Sequence, residues 1–256
     1  MTSQEKYKTF YALHHAGPPL RLVNIWDAGS ARVAEQCGAG AIATSSWSLA
    51  QAQGYEDGQH LPFGLLLMLV TNICRAVSLP VTVDFEGGYS DTPEGIEANF
   101  RELLSSGIAG VNFEDQNISA QGGMLPLEIQ VERLHLLRRV AENMSRPVFI
   151  NARTDLFLQQ PDTTKHQALI PEALHRARAY TEAGADCIFI PGLTNPDLIE
   201  EFCVDAPAPV NIMATSGKID LRLYQRLGVS RVSTGPQPFI QLQKIFQQNI
   251  AGMFAQ

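Results

Sequence analysis

The chain has 256 residues, of which 45% are hydrophobic and 18% charged, with a formal net charge of −7 at pH 7. That length and apolar fraction suit one large buried core, and the acidic balance excludes a nucleic-acid surface, which needs clustered Lys and Arg. The longest apolar run, LPFGLLLMLV over 61–70, is about half of a bilayer span, so no membrane partner is expected.

In chain order, the leading segment MTSQEKYKTFYALHH lacks the apolar core of a signal peptide, and a cytoplasmic location is expected. RLVNIW over 21–26 reads as the first strand, with Asn24, Trp26 and Asp27 at its end; Asp27 is placed to N-cap a helix over 28–37. EQCGAGAIATS over 35–45 joins a helix end, through Gly, to a second strand. That strand runs into Ser45, Ser46 and Trp47, where hydroxyls and backbone amides make a carboxylate cradle. A helix is expected over 62–77, then the strand LPVTVDF over 79–85 and a helix over 92–106. The Gly-then-strand joint recurs as LSSGIAGVNFED, TEAGADCIFIP and QRLGVSRVSTG, and RPVFINA over 146–152 and APVNIMA over 208–214 supply the remaining strands. Helices over 127–144, 171–183, 195–204, 219–227 and 237–254 fill the gaps.

Eight strands, each too apolar to alternate, in register with eight helices, predict a single (β/α)8 TIM barrel over 1–256. A doubly wound open sheet is the runner-up, but G-x-G-x-x-G does not follow the first strand. The connections 46–61, 115–126 and 154–170 are long for βα loops and mark the mouth of the barrel; Gly122-Gly123 is a candidate lid hinge. Cys37, Cys74 and Cys187 fall in apolar patterns and Cys203 carries no reactive signature, with no metal-type spacing among the four.

Several apolar runs end in carboxylates. Asp84 and Glu86 in VTVDFEGGY, Glu114 in GVNFEDQ and Asp57 in the long 46–61 connection converge on one mouth if the barrel closes. Like charges gathered there need a cation or shared protons, so a divalent metal held by Asp84, Glu86, Glu114 and Asp57 is expected: Mg2+, or Mn2+ in its place. The other reading is a rim of salt bridges. Gly88 and Tyr89 end the strand where a ligand approaches the backbone. Arg153 pairs with a rim acid or binds a substrate carboxylate in bidentate fashion, while Asp155 reads as a loop cap. Asn211, Met213 and Ser233 are candidate pocket-lining residues. A serine hydrolase is excluded by the absence of G-x-S-x-G and of a His in triad context.

Taken in order, NIWDAGSARVAEQCGAGAIATSS, GYEDG, PVTVDFEGGY, GVNFEDQ, NARTD and GADCIFIPG resemble the isocitrate lyase / phosphoenolpyruvate mutase superfamily across about 22–235. The resemblance implies a barrel whose last helix, about 236–254, is exchanged between subunits of a homotetramer built from dimers. It implies a small anionic 2-oxo acid substrate and a metal-held enolate. Asp84 matches the direct metal ligand, and Glu86 a second acid that is Asp in the mutases and lyases. Glu114 and Asp57 match acids that hold the metal through water. Ser45, Ser46 and Trp47 match the loop gripping the 2-oxo-carboxylate, and Arg153 the arginine at the same end; Asp57, Ser46, Glu114 and Arg153 are the catalytic candidates. The lyases carry a K-K-C-G-H loop that DQNISAQGGMLP lacks, and the lid Lys of the phosphonate enzymes is absent too. The expectation is a lyase cleaving a C–C bond beside a 2-oxo carboxylate, resembling an oxaloacetate decarboxylase or hydrolase. The alternatives are a C–P bond enzyme, either a mutase or a phosphonopyruvate hydrolase, and a non-catalytic keto-acid-binding homologue.

Overall fold

A computed structural model of the chain describes residues 1–15, 17–117, 122–214 and 219–254, and the two faces of its strands decide which side chains reach the site. In β3 (Val81–Asp84) the residues Val81 and Val83, followed by Phe85, join the large cluster that also contains the helix residues Ile96 and Phe100. Successive strand residues point to opposite faces, so Thr82 and Asp84 face the interior. The same division holds in β4 (Gly110–Glu114), with Val111 and Phe113 outward, and in β5 (Phe149–Arg153), with Ile150 and Ala152 outward. Both faces are buried, as expected of such a sheet, but in these three strands polar residues occupy inward positions, so apolar and polar residues alternate there.

The remaining strands are β1 (Leu20–Ile25), β2 (Ile42–Thr44), β6 (Cys187–Phe189), β7 (Val210–Met213) and β8 (Arg231–Ser233). All eight pair in parallel in sequence order, and β8 returns to β1 through Leu20 opposite Arg231. The chain is therefore the (β/α)8 barrel expected. Closure leaves no unpaired strand edge, and the inward side chains fill the barrel in layers.

The expected helices form as α2 (Ala28–Gln36), α4 (Phe63–Ala76), α5 (Pro93–Ser105), α6 (Leu127–Asn143), α7 (Ile170–Glu182), α8 (Pro196–Asp205), α9 (Leu221–Arg226) and α10 (Gln237–Phe254). Asp27 caps α2, accepting from the Ser30 amide at 2.6 Å. Two further helices were not anticipated. In α1 (Ser3–Leu13), Thr2 and Glu5 form a reciprocal capping box, and the helix sets Phe10 against Phe149 at the base of the barrel. In α3 (Ser46–Gln53), Ser45 is the N-cap and Gly54 closes the end at φ +79°, so half of the supposed 46–61 loop is helical. A 3-10 helix over Thr163–Leu169 occupies part of the connection after β5.

Cys74 and Cys187 are buried as expected, but Cys37 ends α2 and is exposed. The 115–126 connection begins and ends as a small ladder, with Gln116 bridging Met124 and the Asn117 amide donating to Gly123 O at 2.9 Å. Gly122 and Gly123 both have positive φ; residues 118–121, the centre of the candidate lid, lie outside the described residues. No helix among the described residues is long and apolar enough to cross a membrane.

Candidate active site

The inward residues at the strand tips and the first turn of α3 surround a cavity of about 170 Å3. That is the liquid-volume share of roughly five or six waters, enough for a compact organic acid. Ser45, Ser46, Trp47, Asp57, Asp84 and Arg153 line it, joined by Asn24, Met213 and Ser233. Asn112, Leu158, Phe189, Pro191, Gly235 and Pro236 complete the lining; sequence reasoning did not single these out. Asn112 alone left a signal, as a polar residue at an inward position between the apolar outward Val111 and Phe113. The others come from separate loops and strand ends that only closure of the barrel brings together.

Asn24 latches the mouth. Its Oδ1 accepts from the backbone N–H of Thr234 at 3.0 Å and of Gly235 at 2.9 Å, while its Nδ2 donates to Thr44 O at 2.7 Å. The Thr44 hydroxyl in turn accepts from the Asp84 amide at 2.9 Å. Asp84 is thereby fixed at the tip of β3, with Oδ2 at 3.4 Å from the Ser46 amide. Its other oxygen, Oδ1, is buried and has no hydrogen-bond partner among the described residues. A buried carboxylate oxygen without a donor is costly, and it suits a cation ligand.

Arg153 supplies positive charge. Its Nε and Nη2 bond to Asp155 Oδ1 and Oδ2 at 2.5 and 2.9 Å, and its Nη1 lies 2.8 Å from Glu114 Oε2 and 4.0 Å from Asp84 Oδ2. The Glu114 contact is ionic, out of line for a hydrogen bond. Asp155, expected to cap a loop, is therefore the partner that fixes the guanidinium. Burial pushes the Glu114 carboxyl well above the ordinary range, with Arg153 opposing. Asp57 is raised by burial and then by the Asp84 charge, against hydrogen bonds from Ser46 and Gly58.

Glu86 turns elsewhere. Its Oε2 accepts from the Gln59 amide at 2.8 Å and its Oε1 from the Tyr89 hydroxyl. Burial, opposed by that Tyr89 bond, pushes its carboxyl up to about 8. Glu86 and Tyr89 both adopt left-handed backbone, φ +48° and +57°, a strained pair of the kind found at functional turns. Gly88 has a packing reason: a Cβ there would come within 3.1 Å of Ile96, so the glycine admits α5 rather than a ligand. Gly88, Tyr89 and Asn211 all lie outside the cavity lining; Asn211 is buried and accepts from the Ser233 hydroxyl at 3.0 Å.

The four acids thus do not form the compact cage expected. Among the described residues no group of three or more His, Cys, Asp or Glu is arranged to hold one ion, because Glu114 is drawn to Arg153 and Glu86 to Tyr89. The donor set still fits Mg2+, which is commonly bound through one or two carboxylates and keeps several waters. Asp84 offers the free oxygen, and Asp57 and Glu114 stand near enough to feel its charge.

A larger groove, about 1120 Å3, runs along the outside of the barrel beside β1, α2 and α10. Its lining is mainly apolar, and its Asp27 is taken up in capping α2.

A family model described as phosphoenolpyruvate phosphomutase matches residues 10–254. A provisionally named phosphonomutase of Burkholderia cenocepacia shares the fold with a TM-score of 0.93 and 40% identity, over 97% of this chain and 99% of that one. An uncharacterised protein of Mycobacterium tuberculosis is 35% identical over 90% of this chain and 83% of its own length. The 2-methylisocitrate lyase of Bacillus subtilis is 25% identical over 82% of this chain and 67% of its own.

Proposed function

This chain belongs to the isocitrate lyase / phosphoenolpyruvate mutase superfamily, whose lyases and mutases are its relatives, and from that premise we propose that it is a Mg2+-dependent enzyme cleaving a C–C bond beside a 2-oxo carboxylate. The observation that carries this reading is the buried Asp84 Oδ1 at the cavity wall, without a hydrogen-bond partner among the described residues and within reach of the Arg153 charge. Mg2+, or Mn2+, held by Asp84 directly and by Asp57 and Glu114 through water, would supply positive charge to the keto oxygen.

The chain's own groups divide the remaining work. At the first turn of α3 the Ser46 amide reaches Asp84 Oδ2 and the Ser48 amide is capped by Ser45 Oγ, so the Trp47 amide and the Ser46 hydroxyl beside them would receive the substrate carboxylate. Arg153 adds a fixed cation facing the same cavity. Cleavage beta to the ketone leaves the electron pair on the carbon next to it, delocalised onto oxygen as an enolate; a preorganised positive environment lowers that barrier. Trp47, Phe189 and Met213 wall the cavity with apolar surface and keep water from the intermediate.

A C–P bond enzyme is the second reading, and the family match favours considering it. Transfer at phosphorus calls for a cation free to meet the phosphoryl oxygens. Among the described residues the cation lining the cavity is Arg153, already occupied by Asp155 and Glu114, which favours the C–C reading. The test is incubation of the protein and Mg2+ with oxaloacetate, phosphonopyruvate or 2-methylisocitrate, followed by NMR. Pyruvate from oxaloacetate or 2-methylisocitrate, or another product of C–C cleavage, is expected. A change confined to the phosphorus signal of phosphonopyruvate would transfer the assignment to the second reading, and oxalate binding with no turnover would mark a binding homologue.

The same premise supports exchange of α10 between subunits of a tetramer. Leu242, Ile245, Phe246, Met253 and Phe254 on this helix are 49–82% exposed in a single chain, and Leu242 lines the outer groove. Truncation before α10 is expected to yield a smaller species by light scattering; an unchanged mass would count against the exchange.

A further inference from the structure

Beneath the cavity floor lies a charge that the scheme above leaves unused. Arg231 is fully buried at the start of β8, one of the largest fully buried side chains among the described residues. It sits one layer deeper than Ser233, as the pairing of Arg231 with Asn211 and of Ser233 with Met213 shows. Its Nε donates to Ser233 Oγ and its Nη2 to Asn112 Oδ1, each at 3.2 Å, and its Nη1 has no partner among the described residues. Both partners are neutral, and both line the cavity. Below, its guanidinium stands 6.0 Å from the centre of the Phe10 ring.

An apolar residue would plug the base of the barrel without the cost of desolvating a charge, which amounts to several kcal/mol even after relaxation. Burial pulls the guanidinium down only to about 10, so it is cationic at neutral pH. It feels two groups that can carry negative charge, Cys187 and Asp84. Burial pushes the Cys187 thiol up to about 12, so Cys187 is neutral, and Asp84 is the acidic side chain in the field of Arg231. Asn112, which takes the Arg231 bond, is opposite Asp84 in the β3–β4 ladder and also accepts from Asn151 Nδ2 at 2.8 Å. A polar chain therefore leads from the buried charge to the floor on which a ligand would rest.

We propose that Arg231 is a positioning residue of the site: acting through Asn112 and Ser233, it orients the cavity floor and supplies the buried positive charge that balances Asp84 and a bound oxygen-rich anion. The inference rests on the enolate-type anion site argued above. Its effect is electrostatic and indirect, since Arg231 does not itself line the cavity.

The test uses the full chain, Mg2+ and oxalate as a planar enolate mimic, followed by calorimetry. Arg231→Met is expected to weaken oxalate binding about tenfold or more, equivalent to roughly 1.4 kcal/mol. Its thermal midpoint should hold or rise, because an unpaired buried charge has gone. Arg231→Gln, which can keep the Ser233 and Asn112 bonds but not the charge, should lose less affinity than the Met variant yet more than about twofold, and covers the case in which the Met variant fails to fold. Arg231→Lys should recover most of the affinity, a rescue that a space-filling role would not produce. Wild-type binding with Met or Gln variants within about twofold of it would overturn this inference alone. Failure of the wild type to bind oxalate would remove the proposed anion site and this inference with it.

Discussion

Asp155 holds Arg153 by two parallel hydrogen bonds, Nε to Oδ1 and Nη2 to Oδ2, so that Nη1 is the arm directed at Glu114 and Asp84. The fork geometry of a guanidinium makes this division possible; an ammonium is a single point charge and cannot serve both sides. Arg153→Lys is therefore expected to lower oxalate affinity by about tenfold or more, roughly 1.4 kcal/mol, while Asp155→Ala, which frees the fork to rotate, weakens it less. Calorimetry in the presence of Mg2+ measures both, and a Lys variant equal to wild type would show that the fork is not needed.

The support for that pair lies one shell further out. Asp115 accepts from the Asp155 amide at 3.0 Å, from the Tyr180 hydroxyl at 2.6 Å and from Arg176 Nη1 at 3.3 Å. Removing the Tyr180 hydroxyl takes one donor from a buried carboxylate. Tyr180→Phe should cost about 1–3 kcal/mol by urea unfolding, and no measurable loss would mean that water replaces the donor.

At the base of the barrel His14 is buried, with Nδ1 bonded to Phe10 O at 2.8 Å and the ring stacked 4.1 Å from that of Phe149. Burial, followed by the Arg231 charge, pulls its pKa down to about 3. The native state thus keeps this imidazole neutral while the unfolded chain takes up a proton near the ordinary value of about 6.5. The group's contribution is present above that value and is lost as pH falls from about 6.5 towards about 3. His14→Gln should flatten the decline of melting temperature over that window; an identical slope would place the acid sensitivity elsewhere.

Gly235 adopts φ +54°, and a Cβ there would lie 2.6 Å from Met213 Sδ. Both residues line the cavity. Gly235→Ala should destabilise the protein by about 1–3 kcal/mol through overpacking and weaken oxalate binding; an unchanged melting temperature with unchanged binding would show that Met213 moves aside at no cost.

The barrel was legible because Gly-then-strand joints recur along the chain and Pro or Gly punctuates the strands and helices. The tips of β3 and β4 were legible because carboxylates interrupt apolar runs there. What stayed hidden depends on partner choice. Glu86 looks like a metal acid by position, yet its oxygens go to Gln59 and Tyr89, a consequence of a left-handed turn at Glu86 that the letters E-G-G-Y do not announce. Phe189 and Leu158 reach the cavity from separate segments after closure. The helix α1 was readable and overlooked, since Thr2-Ser3-Gln4-Glu5 is a capping-box pattern. Arg231 was hidden by its exposed-residue chemistry: nothing local in GVSRVSTG marks an arginine as fully buried.

The central claim is that Asp84 provides the oxygen through which a divalent cation and an enolate-like anion are held together. Titrating oxalate into wild type and into Asp84→Ala, each with Mg2+ and again with EDTA, tests it most directly. Metal-dependent binding is expected in the wild type, with a loss of about a hundredfold or more, roughly 2.7 kcal/mol, in the variant. Equal oxalate affinity in the two proteins, or wild-type binding indifferent to EDTA, would contradict it.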